Sequence, residues 1–431
     1  MAFRIVYISA AFAISSFCAI RPVLFQTIEN PDAIHICIDL MEEKDDMSPV
    51  WAWFGYDEPN YTYMKDGRKL LTDLSRLSPV PVYIRTHNLL TTGDGEAALK
   101  WGSTNAYTED EWGRPVYSWD IVDSVMDSYV SKGMKPFVEI GFMPKALSVK
   151  PEPYRHSWQP GDDYNDIYTG WAYPPNDYEK WAELVYQWVK HSVERYGQSE
   201  VETWYWELWN EPNIPYWKGA REEFFKLYVY TSDAVKRALP TAVIGGPNIT
   251  GPAGKEAADF LREFIEHCLG GKNYATGNTG APLEFIAFHA KGNPRLKDGV
   301  VWMDIGMQLR HISSGFEIYP QYNDRNGTMY PAYTAASFAR KYELADHFGV
   351  NFIGAVTWAF EFENQPWFAG FRDLATNGVN KPALNVFRMF GLMEGKLQMV
   401  GSPEWLNVEN GEVKIQMVLP RQAVSLIKFT W

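Results

Sequence analysis

The chain has 431 residues, 46% hydrophobic and 22% charged, an ordinary globular composition for one large barrel or two domains. Its 40 Lys and Arg against 53 Asp and Glu leave a net charge of −13, which disfavours nucleic-acid and anionic-membrane partners because the field repels polyanions. Aromatic residues make up 16% of the chain, with 18 Trp and 25 Tyr; this load fits a large aromatic core or a sugar-stacking surface, and composition alone favours the core.

The chain opens with MAFRIVYISAAFAISSFCAIRPV, in which Arg4 precedes an apolar run over 5–20. The run is too short for a membrane span and fits a secretory signal over about 1–25, which implies a secreted or periplasmic protein. The alternative is a buried N-terminal segment. No later run is long and apolar enough to cross a bilayer. Cys18 lies in the leader, and with Cys37 and Cys268 makes no disulfide framework; the default is buried thiols.

Strand-like and helix-like segments then alternate. The strand candidates are AIHICIDL (33–40), PVYIRTH (81–87), KPFVEIGF (135–142), VETWYWELWN (201–210), TAVIGGP (241–247), LEFIAFHA (283–290) and FIGAVTWAFEF (352–362). Amphipathic helical patterns cover 66–77, 119–133, 177–197, 221–239, 255–269 and 331–349. In the third, Trp181, Val185, Trp188, Val189 and Val193 recur at helical spacing, and Gly133 and Gly197 stand where helix C-caps belong. Such alternation predicts a parallel sheet with helical crossovers, and eight units close into a (β/α)8 TIM barrel with its site at the C-terminal strand ends. Only seven strands are counted. Between 290 and 352 stand two helical patterns, near 304–313 and 331–347, and at most a four-residue apolar piece at 316–319. The barrel therefore lacks or severely shortens strand seven. The tail, EVKIQMVLPRQAVSLIKFTW, alternates at period two and reads as two strands joined near Pro420 and Arg421.

The chemistry concentrates in WYWELWNEPN (204–213). Strand alternation puts Glu207, Trp209 and Glu211 on one side, so parity cannot separate the two glutamates. Position can. Glu207 is mid-strand, where a buried carboxylate is usually a structural partner of Lys, Arg or backbone. Glu211 stands where the strand ends, before Pro212. Large apolar rings around it should desolvate its charged form and keep it protonated, as a general acid must be. Asn210 is placed to bond a substrate hydroxyl. Glycoside hydrolysis pairs such an acid with a second carboxylate across the scissile bond.

His87 and His289 also stand at strand ends and read as functional, whereas His191, His267 and His347 fall on helices. No metal motif and no dinucleotide fingerprint is present, so neither metal nor cofactor is expected. The acidic run DDYND (162–166) reads as a loop.

Several blocks resemble glycoside hydrolase family 39, the β-xylosidase family: WFGYDEPNYTYMKDG, YIRTHN, KPFVEIGFMPKALS, WYWELWNEPN, FIAFHAKG and GAVTWAFEFENQPWFAGFRDLATNG. The resemblance runs from about residue 37 to residue 393 and returns in the tail. It implies a (β/α)8 barrel that hydrolyses terminal β-xylosyl or similar residues with retention of configuration. It implies Glu211 as acid/base, Asn210 on the sugar 2-hydroxyl, and His87, His289, Trp358, Phe142 and Glu363 lining the pocket. Family members carry the nucleophilic Glu in a block resembling GES-D-P-E-G at the end of strand seven. That block is absent here, and Glu317 is the only carboxylate nearby on its N-terminal side. Most of the family's accessory β-sandwich is also missing. The expected organisation is a leader (1–25), a barrel (26–393) and a β-sandwich remnant (394–431), acting on an oligosaccharide or glycoside. Two alternatives stay open: a catalytically impaired sugar-binding barrel, and an endo-acting β-glycanase of a related barrel family.

Overall fold

The computed structural model of the chain describes residues 48–159, 161–290, 293–297, 300–304, 329–358, 361–364, 374–393, 406–409 and 412–415. Two compact units result, one made of Val50–Tyr322 with Phe352–Lys381, the other of Met1–Pro49, Asn323–Asn351 and Pro382–Trp431. The expected leader, Cys18, Cys37, the strand at 33–40, the apolar piece at 316–319 with Glu317, and residues 416–431 of the tail lie outside the described residues. So does residue 394, where the sandwich remnant was expected to begin.

The first unit holds a curled sheet of seven parallel strands. They are β1 (Trp53–Tyr56), β2 (Tyr83–Thr86), β3 (Lys135–Ile140), β4 (Tyr205–Leu208), β5 (Val243–Ile249), β6 (Phe285–Phe288) and β7 (Thr357–Trp358). The spatial order is β7-β1-β2-β3-β4-β5-β6, which is chain order except that the last strand pairs beside the first. That is the order of a barrel of parallel strands opened at one place, between β6 and β7, where the described residues supply no strand to this sheet. β1 stands where no strand candidate was read. It is WFGY, a four-residue piece without period-two alternation, because all four of its residues are buried, as in a parallel sheet covered on both faces.

Between the strands run the helices α1 (Lys65–Leu77), α2 (Asp120–Val130), α3 (Tyr178–Tyr196), α4 (Arg221–Ala238) and α5 (Lys255–Gly270), close to the predicted spans. Asp177 caps α3 by accepting from the backbone N–H groups of Glu179 and Lys180, and the helix buries Trp181, Val185, Trp188 and Val189. Gly197 ends it at φ +85°, a conformation that costs a residue without Cβ nothing. The predicted helical pattern near 304–313 begins instead in a strand: Val300–Asp304 pairs antiparallel with Asn293–Lys297, and 305–313 lies outside the described residues. Cys268, on α5, is a free buried thiol whose pKa burial pushes up to about 12.

In the second unit, α6 (Met329–Phe348) packs on α7 (Ala383–Met393), with Phe338 edge-on to Phe390 at 5.3 Å. Strand 412–415 of the tail pairs antiparallel with Leu406–Glu409.

Period two decides what fills the barrel. The first inward-facing residues of five strands are Trp53, Tyr83, Phe137, Tyr205 and Phe285, and their rings meet. Trp53 stacks on Tyr83 at 4.1 Å, and Tyr205 lies 5.2–5.5 Å from Trp53, Tyr83 and Phe285. This aromatic floor accounts for part of the ring content as core. Two residues further along come Gly55, Arg85, Glu139 and Glu207, a charged layer above the floor. Gly55 pairs in register with Trp358, and a Cβ on it would stand 3.1 Å from both the Trp358 ring and the Val356 side chain. The glycine therefore lets Trp358 lie flat against β1. Gly55→Val should lower stability by about 1–3 kcal/mol through overpacking. A denaturation midpoint unchanged from wild type would show that Trp358 does not need this contact.

Candidate active site at the C-terminal strand ends

The rim is shaped by backbone turns that strand alternation does not anticipate. β4 stops at Leu208. Trp209 (φ +67°) and Glu211 (φ +48°) are left-handed, and so is Asn248 (φ +50°) on β5. Parity therefore lapses after Leu208, which corrects the expectation that Glu207, Trp209 and Glu211 share one side. A bulky residue in this region is strained unless its surroundings hold it. Here the Trp209 N–H bonds to Ile140 O at 3.2 Å, its indole N–H bonds to Tyr216 O at 3.0 Å, and its ring meets Phe142 and Trp217 edge-on. The Glu211 N–H bonds to Asn248 O at 2.9 Å. The turn lifts the Glu211 carboxylate out of the sheet to the rim.

Beneath the rim lies a dry charge cluster. Arg85 donates to Glu207 Oε2 from Nε at 2.7 Å, and its Nη2 stands 2.5 Å from the same oxygen and 2.8 Å from Glu139 Oε2. Glu139 and Glu207 are in register on adjacent strands, and neither is measurably exposed. His87 Nε2 lies 3.0 Å from Asp57 Oδ1 and 3.1 Å from Glu139 Oε2, and it also contacts the Arg85 guanidinium. Asn248 Nδ2 bonds Glu207 Oε2 at 3.2 Å and Asn210 Oδ1 at 3.3 Å, and Arg85 Nη2 reaches Asn210 Oδ1 at 3.5 Å. One guanidinium thus organises two carboxylates, a histidine and an asparagine.

Burial works against the charge of Arg85, but attraction from Glu207 and Glu139 outweighs it and raises its pKa. Glu207 is raised by burial, against the pull of Arg85 and Asn248. Glu139 is raised well above the usual carboxylate range, chiefly by burial, with repulsion from Glu207 and Asp57 adding to it against Arg85. Glu207 has the arginine partner expected of a mid-strand carboxylate.

Above the cluster the residues read from sequence converge. The His87 ring is 6.5 Å from Phe142 and 5.8 Å from Trp358, and Trp358 is 6.4 Å from His289. His289 Nδ1 pairs with Glu211 Oε1. Glu211, His289, Trp358, His87 and Phe142 are therefore linked in a chain of side-chain contacts, with Asn210 next to Glu211 in sequence. Glu363 is placed differently: its carboxylate accepts from the Asp66 N–H in the first turn of α1. Glu317 lies outside the described residues.

Sequence reading missed Asp57, Glu139 and Asn248. Glu139 carried the same signal as Glu207, a carboxylate in the middle of an apolar strand. Asp57 directly follows β1, the strand that alternation overlooked. Chemically, the strand ends offer two little-exposed carboxyls, Glu211 bonded to an imidazole and flanked by an amide, and Asp57 against His87, with aromatic rings nearby. Glu139 and Glu207 are sealed from any ligand. Among the described residues no group of three or more His, Cys, Asp or Glu could hold a metal ion.

The family model for glycosyl hydrolases family 39 matches residues 34–301, and the chain belongs to that family. The beta-xylosidase of Geobacillus stearothermophilus is 37% identical over 213 residues, 48% of this chain and 36% of that protein. Human alpha-L-iduronidase is 29% identical over 153 residues, 34% of this chain and 23% of that protein. The matched stretch thus spans about a third or less of these relatives' lengths. The crystal structure of a monomeric beta-xylosidase from Caulobacter crescentus CB15 shares the fold, with TM-score 0.56 and 21% identity over 80% of this chain and 68% of that one.

The cluster makes two predictions. Arg85→Met leaves both carboxylates buried without their cation and should cost about 3–5 kcal/mol of stability. A folded-state pKa raised above the ordinary 4.5 means that Glu139 favours the fold most below that value, and that this contribution is lost as pH rises through the raised pKa. Glu139→Gln should therefore flatten the decline of stability above about pH 4.5. Parallel stability–pH curves for wild type and variant would contradict the assignment.

Proposed function

We propose that the chain is a glycoside hydrolase that releases terminal β-xylosyl or similar residues with retention of configuration, using Glu211 as acid/base. The observation that carries the proposal is the Asn210–Glu211 pair at the end of β4, with Glu211 bonded to His289 and the pocket bounded by His87, Phe142 and Trp358. Membership of family 39 and the beta-xylosidase relative support the same reading.

In this mechanism Glu211 gives its proton to the glycosidic oxygen as the C1–O bond breaks, while a second carboxylate adds to C1 from the opposite face. Glu211, now a carboxylate, then takes a proton from water as the water attacks C1 and releases the enzyme carboxylate. His289, bonded to Glu211, keeps the carboxyl aimed through both steps. Asn210, held by Asn248 and Arg85, is set to bond the hydroxyl next to C1. Phe142 and Trp358 give the sugar apolar faces and exclude water.

The second carboxylate belongs about 5–5.5 Å from Glu211 in a retaining enzyme. Glu139 and Glu207 do not qualify, since both are sealed beneath the rim and committed to Arg85. One sequence observation favours a second reading, sugar binding without turnover: no block like GES-D-P-E-G lies between β6 and β7.

Turnover of aryl β-xylosides by the purified protein separates the two readings. The proposal expects hydrolysis, and a loss of about 10²–10⁴-fold in Glu211→Gln for substrates that need protonation. Saturable sugar binding with no hydrolysis by wild type would favour the second reading. Hydrolysis undiminished in the variant would remove Glu211 from its role.

A further inference from the structure

Three groups meet at one nitrogen of His87. Its Nε2 lies 3.0 Å from Asp57 Oδ1 and 3.1 Å from Glu139 Oε2, and it also touches the Arg85 guanidinium. Arg85 and Glu139 belong to the buried charge cluster, whereas Asp57 comes from just past the end of β1 and is anchored separately. Its backbone carbonyl accepts from Asn88 Nδ2 at 2.7 Å, and Lys100 Nζ stands 4.0 Å from its Oδ2. Lys100 is itself fixed: its backbone N–H donates to Oε1 of the buried Glu58 at 3.0 Å, and its Nζ lies 3.8 Å from the same oxygen. Asp57 is thus braced beside a positive charge, with its other oxygen aimed at an imidazole.

A neutral imidazole carries one proton, on Nδ1 or on Nε2, and its neighbours decide which. Arg85 can only donate, so it favours a bare Nε2. A carboxylate can only accept, so Asp57 favours a protonated Nε2. Glu139 can serve either form, because burial pushes its pKa well up and a protonated carboxyl can donate. Arg85 keeps its bonds through Nε to Glu207 and its Nη2 contact with Glu139 whichever form is present. A bare Nε2, by contrast, would set its lone pair against the Asp57 carboxylate with no hydrogen between them. Asp57 is therefore the group that decides the tautomer.

We propose that Asp57 is a positioning residue that holds His87 with its proton on Nε2, so that Nδ1 is the acceptor offered to a sugar hydroxyl. The His87 ring belongs to the strand-end cluster, 5.8 Å from Trp358 and 6.5 Å from Phe142, and Asp57 acts through it. The proposal rests on the glycosidase reading for the identity of the ligand. A sugar ring suits the tautomer because its hydroxyls are donors that a bare imidazole nitrogen accepts.

Nitrogen NMR of the full chain with isotope-labelled histidine reads the tautomer directly, and His87→Gln identifies the His87 signals. At neutral pH wild type should show Nε2 protonated and Nδ1 bare. Asp57→Asn keeps the shape but can donate to a bare nitrogen. It should move the proton to Nδ1 and weaken xylose binding by about 2–10-fold, the worth of one hydrogen bond. In aryl β-xyloside hydrolysis that loss should fall on KM and leave kcat nearly unchanged, as for a contact made equally in the ground and transition states. Because Asp57 acts through His87, adding Asp57→Asn to His87→Gln should weaken binding no further. A bare Nε2 or a doubly protonated ring in wild type would overturn the proposal, and that measurement needs no variant to fold. A tautomer unchanged by Asp57→Asn, or losses that add in the double variant, would overturn it too, and neither result touches the glycosidase reading. If the tautomer shifts as expected but wild type neither binds xylose nor hydrolyses the xyloside, Asp57 still positions His87 and the glycosidase reading fails.

Discussion

The arrangement depends on one interaction, the clasp of Arg85 by Glu207 and Glu139 in the interior of the barrel. Above an aromatic floor there is no water to solvate a charge, so a guanidinium survives there only with carboxylates at hydrogen-bond distance. Two in-register carboxylates on adjacent strands meet that need, and between them they carry more negative charge than one guanidinium balances. Burial, with repulsion from Glu207 and Asp57, pushes the pKa of Glu139 up against the pull of Arg85. The same clasp reaches upward, since Asn210 bonds to Arg85 and to Asn248, and Asn248 also bonds to Glu207. Asn210 at the strand end is thus positioned by groups buried inside the sheet.

This layering separates carboxylates that look alike in sequence. Glu139 and Glu207 face inward two residues above the aromatic floor and are spent on structure. Glu211 stands past the strand end, where two left-handed residues have turned the chain over the rim, and its partner is an imidazole rather than a guanidinium. A carboxyl bonded to a histidine at the strand ends can exchange protons with a ligand that reaches it. The aromatic content divides in the same way, into a floor of five rings that meet inside the sheet and a second set, including Phe142, Trp209 and Trp358, at the strand ends.

Much of this was legible beforehand. Five interior strands and five barrel helices followed from alternation, and His87, Asn210, Glu211, His289 and Trp358 were read at strand ends, where the structure has them; Phe142 came only from the family resemblance. What escaped did so for physical reasons. A four-residue strand buried on both faces shows no alternation, so WFGY was passed over, and Asp57 with it. Residues at positive φ break side-chain parity, so the direction of Trp209 and Glu211 could not be deduced from a count. Glu139 was overlooked because its partners, Arg85 and Glu207, lie 54 and 68 positions away in the chain. The fold's layer order alone brings them together. Glu363, in the sequence neighbourhood of Trp358, accepts from the Asp66 N–H in the first turn of α1.

The central claim is that Glu211 acts as acid and base to a sugar held against a second carboxylate. The most direct measurement is the product formed by Glu211→Ala from an activated aryl β-xyloside in the presence of azide. Such a leaving group needs no acid, so the first step proceeds, and the small anion can attack the glycosyl-enzyme where no base remains to activate water. The account predicts slow hydrolysis without azide, marked acceleration with it, and accumulation of β-xylosyl azide. Hydrolysis by the variant at the wild-type rate, or azide that neither accelerates the reaction nor appears in the product, would contradict it.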